Sequence, residues 1–189
     1  MRNNTLSTRR IATLSALLAI SLVLAVVENM LGALIPLPIP GVKLGLANII
    51  SMFILTYFSV PSALFVGILR TFLASLFSGG LGMFLYSAPG ALLSILMMAA
   101  VMRGIKALSL VGVSMVGAVM HNLSQVCVAV LLTGEVNLFY YAFVLIAVGA
   151  VSGTITGIVA HTTFIRAANA LNIKERAPHK LKTDFGGVQ

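Results

Sequence analysis

Six apolar segments with short connections between them constrain the fold of this sequence more than any other feature. A membrane-spanning helix needs about 20 mostly apolar residues. An open sheet in lipid would leave backbone groups unpaired, so each segment is predicted to be helical. We therefore expect an all-α integral membrane protein in which a bundle of six transmembrane helices (11–165) follows a short amino-terminal segment (1–10) and precedes a basic tail (166–189). The six segments cover roughly residues 11–35, 43–58, 61–78, 84–102, 108–133 and 138–165.

The charges are few and lie at the ends of the apolar segments. Charged residues make up 8% of the chain and hydrophobic residues 59%, whereas about a quarter of the residues of a soluble domain are charged. Lys and Arg outnumber Asp and Glu by 12 to 4, but the basic residues do not form one exposed face. We expect a lipid bilayer and no nucleic acid as the partner of these charges.

The same charges predict the orientation. An amino terminus inside the cell places Arg9, Arg10, the loop 103–106 and the tail in the cytoplasm. The external loops then hold only Lys43 and Glu135. Because cytoplasmic loops carry the excess of Lys and Arg, we expect both termini to be cytoplasmic in a multi-pass protein of the cell membrane.

Two charged residues interrupt the apolar segments. Glu28 lies near the far end of the first segment and Arg70 lies at the centre of the third. Burying a charge in a bilayer costs at least about 2.5–3.5 kcal/mol on insertion scales, so each of these charges is expected to have a structural or functional role. One interpretation is a structural ion pair, and the other is a polar cavity in which Arg70 faces a ligand. The two interpretations are compatible with each other.

Polar residues of the fifth segment extend this candidate site. His121, Asn122 and Gln125 lie at mid-depth, and His121 and Gln125 share a helical face with small residues. Glu28 and the segment 36–48 would lie further out, which predicts a pocket that opens outward beneath a proline-rich connection. Such a pocket suits the capture of a small solute from outside. The candidate substrate-binding residues are Glu28, Lys43, Asn48, Arg70, His121, Asn122 and Gln125.

Two stripes of small residues predict close helix packing. Gly149, Gly153 and Gly157 repeat every four residues in the sixth segment, which favours contact between helices of this chain. Ala12 and Ala16 form a similar stripe in the first segment. Internal packing is the default expectation for it, and docking of another membrane subunit is the alternative.

Several chemistries are not supported by the sequence. The pattern GxxxxGK[ST] of a phosphate-binding loop does not occur, and the one aspartate, Asp184, lies in the tail. Magnesium–diphosphate chemistry needs clustered carboxylates. A single cysteine, Cys127, allows no internal disulfide. We therefore expect no enzyme activity, no cofactor and no metal site.

The run 38–48, PIPGVKLGLAN, with Glu28 and Asn29 before it, resembles the Gx transporter family, which is also labelled heptaprenyl diphosphate synthase component I. The resemblance extends from about Arg10 to Arg166. The six segments with both ends inside also resemble the substrate-binding S components of energy-coupling-factor transporters. Ala12 and Ala16 stand where those proteins carry an alanine-x-x-x-alanine contact to their transmembrane coupling subunit.

The resemblance implies a subunit that binds a small molecule under the connection between its first two helices. Such a subunit works with a transmembrane coupling subunit and two ATPases. The motif positions that carry over are Glu28, Lys43, Gly45 and Asn48. Two alternatives stay open: a non-catalytic membrane subunit associated with a heptaprenyl or polyprenyl diphosphate synthase, and a stand-alone secondary carrier in which Glu28 and His121 relay protons. The sequence does not name the solute.

Overall fold

Six α-helices form the part of the chain that the computed structural model describes, which comprises residues 2–32, 45–78, 80–105 and 108–170. No strand occurs among these residues, so the all-α prediction is confirmed. A short 3-10 turn (Val136–Phe139) precedes the last helix. The helices are α1 (Arg2–Gly32), α2 (Asn48–Tyr57), α3 (Val60–Ser78), α4 (Gly80–Gly104), α5 (Leu110–Thr133) and α6 (Tyr140–Ala170).

Five of the described helices are long and apolar enough to cross a membrane, which makes the chain a multi-pass membrane protein. The exception is α2, which has 10 residues. A helix of that length spans about 15 Å, half of a hydrocarbon core about 30 Å thick. The sequence predicted a helix from residue 43, but α2 begins at Asn48. A complete crossing by the second segment stays a prediction.

The helices pack in chain order except for α2. Helix α1 lies against α3, and α3, α4, α5 and α6 follow as successive neighbours. The short α2 packs against α3, α5 and α6 together. Only Phe58 and Ser59 separate it from α3, so α2 and α3 form a tight helical hairpin. Helix α2 therefore fills the middle of one half of the bundle.

The half of the bundle around α2 has an apolar core. Met52 and Ile54 of α2 are buried in a cluster with residues of α3, α4, α5 and α6. The phenyl rings of Phe53 and Phe164 meet edge to face at 5.1 Å between centroids. Apolar contacts therefore hold α2 in the bundle. The buried members of this cluster are Met52, Ile54, Ala63, Val66, Ile95, Met98, Leu110, Val113, Ala160 and Phe164.

The α2–α3 turn marks one end of the bundle, which we call the turn end. Arg10 of α1 donates hydrogen bonds from Nη2 to the hydroxyls of Ser62 (2.9 Å) and Ser59 (3.3 Å). The start of the apolar stretch of α1 and the α2–α3 turn thus lie at the same end, which agrees with the alternation predicted from the charges. That the turn end faces the cytoplasm stays a prediction.

The glycine stripe of α6 packs directly on the backbone of α5. A Cβ added to Gly153 would lie 2.6 Å from Cα of Met115, and one added to Gly157 would lie 2.6 Å from Cα of Val111. The hydroxyls of Ser114 and Thr156 meet across the same interface at 2.9 Å. The predicted internal packing of this stripe is confirmed.

The alanine stripe of α1 behaves differently. Ala12 and Ala16 are both exposed on the surface of the chain. The default expectation of internal packing is therefore wrong for these two residues. The reason is that α1 packs mainly against α3, so most of its circumference has no neighbouring helix.

Candidate functional site

A set of buried polar side chains lies within this otherwise apolar bundle. They come from every helix, and most of them belong to α3, α4 and α5. In a membrane protein such groups mark either a structural contact or a functional site. The set consists of Ser21, Glu28, Asn48, Ser51, Arg70, Thr71, Ser75, Ser87, Ser94, Ser114, His121, Asn122, Ser124, Gln125, Ser152 and Thr156.

The turn before α2 brings three helices together. Gly45 has a φ of +88°, a conformation that residues with a Cβ rarely adopt. Its backbone N–H donates a hydrogen bond to Oε1 of Glu28 on α1. A Cβ on Gly45 would lie 3.4 Å from Cβ of Ala118 on α5 and 3.6 Å from Nδ2 of Asn48. The first turn of α2, the end of α1 and the middle of α5 therefore meet at Gly45.

The contact with Ala118 shows how deep in the bundle the Gly45 turn lies. Ala118 lies eight residues after Leu110, or about 12 Å along α5 from the turn end. His121 comes one helical turn later. Asn48 was predicted to lie further out than His121, and the structure instead has Asn48 beside Gly45 at the level of Ala118. The difference arises because α2 is short and begins inside the bundle.

Glu28 and Arg70 are both buried, on faces of α1 and α3 that meet. Glu28 is 1% exposed and Arg70 is 3% exposed. Ala25, one turn before Glu28, and Ala74, one turn after Arg70, pack in one buried cluster with Ala47. Among the described residues, neither Oε2 of Glu28 nor Nη1 of Arg70 has a hydrogen-bond partner. These two atoms therefore do not bond to each other.

The wall between α4 and α5 carries His121 and Ser94. A Cβ on Gly90 would lie 3.1 Å from the imidazole of His121, which is tighter than most Cβ contacts, so glycine at this position gives the ring room. Ser94 lies one helical turn from Gly90, and its Oγ would be 3.3 Å from a Cβ on Gly117. This hydroxyl is fully buried and has no hydrogen-bond partner in the described part of the chain.

Asn122 and Gln125 are also fully buried on α5. Asn122 lies at the interface with α6, where its Nδ2 donates to the carbonyl oxygen of Leu145 at 3.3 Å. A Cβ on Gly149 would lie 3.2 Å from the same nitrogen. Asn122 therefore joins α5 to α6, unlike Glu28 and Asn48, which meet at the Gly45 turn.

The remaining predicted site residue, Lys43, lies outside the described residues. Ser94 was not singled out from the sequence, and its only signal was a hydroxyl in an apolar helix. The buried hydroxyls of Thr71 and Ser75 have hydrogen-bond partners within their own helix. They donate to the carbonyl oxygens of Gly67 (2.8 Å) and Phe72 (2.6 Å), respectively. Within the described ranges, no group of three His, Cys, Asp or Glu residues lies close enough to hold a metal ion.

Comparison with known protein families gives one match. Residues 17–163 match the family described as heptaprenyl diphosphate synthase component I. Comparison with curated proteins and with solved structures finds no significant match. The family match includes all the candidate substrate-binding residues and covers well over half of the chain. The resemblance noted in the sequence is confirmed, and the chain belongs to the heptaprenyl diphosphate synthase component I family.

Proposed function

We propose that this protein is the membrane-embedded substrate-binding subunit of an importer, similar to an S component. It would capture a small solute from outside the cell in a pocket beneath the α1–α2 connection. The observation that carries the proposal is the burial of two charged side chains, Glu28, which binds the Gly45 turn, and Arg70, with one atom of each left unpartnered among the described residues.

The cost of that arrangement favours a ligand over a purely structural pair. Leaving a buried polar group unsatisfied costs about 1–3 kcal/mol, and more when the group is charged. A structural ion pair is stable only if further hydrogen bonds satisfy its remaining atoms. A solute that bonds to Oε2 of Glu28 and Nη1 of Arg70 would remove this cost each time it binds.

The other candidate residues would complete the pocket. Asn48 lies next to the Gly45 turn, and His121 packs against Gly90 on the α4 side of α5. Both would offer hydrogen bonds to the solute, as would Gln125. Asn122 would hold the α5 wall against α6. Lys43, in the connection before Gly45, would lie near the entrance.

Transport would need further subunits in addition to this chain. The exposed Ala12 and Ala16 leave a flat strip on α1 where another membrane helix can approach closely. We propose that a transmembrane coupling subunit docks there and that two ATPases drive the import. In this arrangement both termini are cytoplasmic, and the chain binds its solute without catalysing a reaction.

The experiment uses the protein purified gently from its own membranes and studied by native mass spectrometry. The wild type should carry a small molecule, and Arg70→Ala should lose it. Arg103→Ala is the matched control, because Arg103 is exposed in the last turn of α4. Loss of the small molecule in both variants, or in neither, would contradict the assignment of the pocket.

The family description supports a second candidate function. As the alternative, we propose that this protein, a member of the heptaprenyl diphosphate synthase component I family, is a non-catalytic membrane subunit of a polyprenyl diphosphate synthase. Affinity purification in mild detergent separates the two proposals. Recovery of a synthase without any ATPase favours the second one, and recovery of a coupling subunit with ATPases favours the first.

A further inference from the structure

We infer that the site, if it binds a solute as proposed above, selects one with no net charge that presents a hydrogen-bond donor and an acceptor side by side. A zwitterion with neighbouring ammonium and carboxylate groups has this chemistry, and so does the edge of an uncharged amide. The inference rests on the proposed binding function and specifies the class of its substrate.

The charges of the buried side chains balance. Among the described residues, the buried charged side chains are Glu28 and Arg70, and histidine counts as neutral. When both are ionised, their charges sum to zero. A solute with a net charge would leave one charge uncompensated in a dry environment, which is strongly unfavourable. A neutral or zwitterionic solute adds no net charge.

The unpartnered atoms of Glu28 and Arg70 are one acceptor and one donor. Oε1 of Glu28 already accepts the N–H of Gly45, and Oε2 remains as an acceptor. Nη1 of Arg70 remains as a donor. Ala25, one helical turn before Glu28, packs in one buried cluster with Ala74, one turn after Arg70, so the two side chains lie on helix faces that meet. A donor and an acceptor on one solute would satisfy both, whereas an organic anion would satisfy Nη1 and be repelled by Glu28.

The hydroxyl of Ser94 adds to the argument without changing the charge. It is fully buried, and no described residue bonds to it. A hydroxyl both donates and accepts, so it suits either polar group of a neutral solute. Oε2 of Glu28 and Nη1 of Arg70 thus offer one acceptor and one donor, and Ser94, at the contact between α4 and α5, offers a group that serves as either.

The test uses the full-length protein in lipid nanodiscs and a defined mixture of probes. The mixture contains equal amounts of zwitterionic amino acids, monocarboxylic acids, primary amines and uncharged amides. After rapid gel filtration, mass spectrometry identifies the molecules that the protein retains. The wild type should retain zwitterions or amides at least about tenfold better than monocarboxylic acids, which corresponds to about 1.4 kcal/mol.

Glu28→Gln provides the decisive comparison, because glutamine preserves the shape of the side chain and removes its charge. The variant site keeps the positive charge of Arg70, so the preference should shift by about tenfold toward monocarboxylic acids. The side-chain amide oxygen of the introduced glutamine can still accept a hydrogen bond from Gly45. Thermal unfolding of both proteins checks that the variant is folded.

Each outcome bears on a different part of the proposal. Preferential retention of monocarboxylic acids or of amines by the wild type would overturn the inference and leave the binding function standing. Retention of no probe, by a protein that carries its own solute when purified from its membranes, would overturn the inference in the same way. The absence of any solute in both measurements would count against the proposed function itself.

Discussion

The backbone N–H of Gly45 donates a hydrogen bond to the carboxylate of Glu28, and this contact joins the end of α1 to the turn that begins α2. Ala74, one turn after Arg70 on α3, packs with Ala25 and Ala47 in one buried cluster. The start of the short helix therefore meets both α1 and α3. A solute that contacted Glu28 would act directly on the connection between the first two helices.

Replacing Gly45 with alanine tests the role of this turn. A left-handed conformation costs a residue with a Cβ about 1–2 kcal/mol, and Gly45 has a φ of +88°. The added methyl group itself finds ordinary contact with Ala118, at 3.4 Å. We expect a lower unfolding temperature in nanodiscs and weaker retention of the solute, because the turn would shift away from Glu28.

Gly134→Ala is the control for that experiment. Gly134 follows α5, has a φ of +75°, and a Cβ there would meet no atom within 4 Å. Its substitution should lower the unfolding temperature by a similar amount and leave solute retention unchanged. An equal loss of retention in both variants would mean that the Gly45 turn has no special part in binding.

A double-mutant cycle on Glu28 and Arg70 measures their coupling. Removing one partner of a buried ion pair costs about 3–5 kcal/mol, since the other charge is left uncompensated. We expect Glu28→Gln and Arg70→Gln each to destabilise the protein, and the double variant to lose less than the sum, with a coupling of about 0.5–3 kcal/mol. Chemical unfolding of the four proteins in detergent gives these values. Additive effects would show that the two side chains act independently.

The sequence predicted the membrane-helical fold, and it singled out two charged residues within the apolar segments, both of which are buried in the structure. Glu28 and Arg70 stand out because a charge in an apolar segment is costly, and the glycine stripe has a spacing that favours close packing. The start of α2 could not be predicted in the same way, because Leu46 and Ala47 are as apolar as the helix that follows them. A hydropathy profile does not distinguish a turn made of apolar residues from the apolar helix that follows it.

The sequence also could not predict which neighbouring helix each polar side chain faces. Adjacent positions on a helix point about 100° apart, so His121 and Asn122 had to face different neighbours. Which of them faces α4 and which faces α6 depends on the order of the helices in the bundle, and that order places Asn122 against Leu145. The exposure of Ala12 and Ala16 depends on the same long-range arrangement.

Gly153→Ala tests the interface between α5 and α6. The added Cβ would lie 2.6 Å from Cα of Met115 and 3.1 Å from its backbone nitrogen, so the two helices would have to separate. Overpacking of this kind costs about 1–3 kcal/mol. We expect a clear decrease in the unfolding temperature, measured by intrinsic fluorescence or by aggregation on heating.

Gly82→Ala is the matched substitution at an open position. Gly82 lies in α4, and a Cβ there would meet no atom within 4 Å. Alanine in a helix is more favourable than glycine by about 0.5–1 kcal/mol, so this variant should be as stable as the wild type or slightly more stable. A loss of stability as large as that of Gly153→Ala would contradict the close approach of α6 to α5.

Substituting leucine for Ala12 and Ala16 together separates folding from docking. Both residues are exposed, so the double variant should fold normally and keep its solute. A larger side chain would prevent the close approach of a second helix, and we expect co-purification of a coupling subunit to fall at least about tenfold, a change of about 1.4 kcal/mol. Ala100→Leu, an exposed alanine on α4, is the control and should leave co-purification unchanged. If the Ala12 and Ala16 variant still recovers the coupling subunit at the wild-type level, that partner docks on another face of the protein.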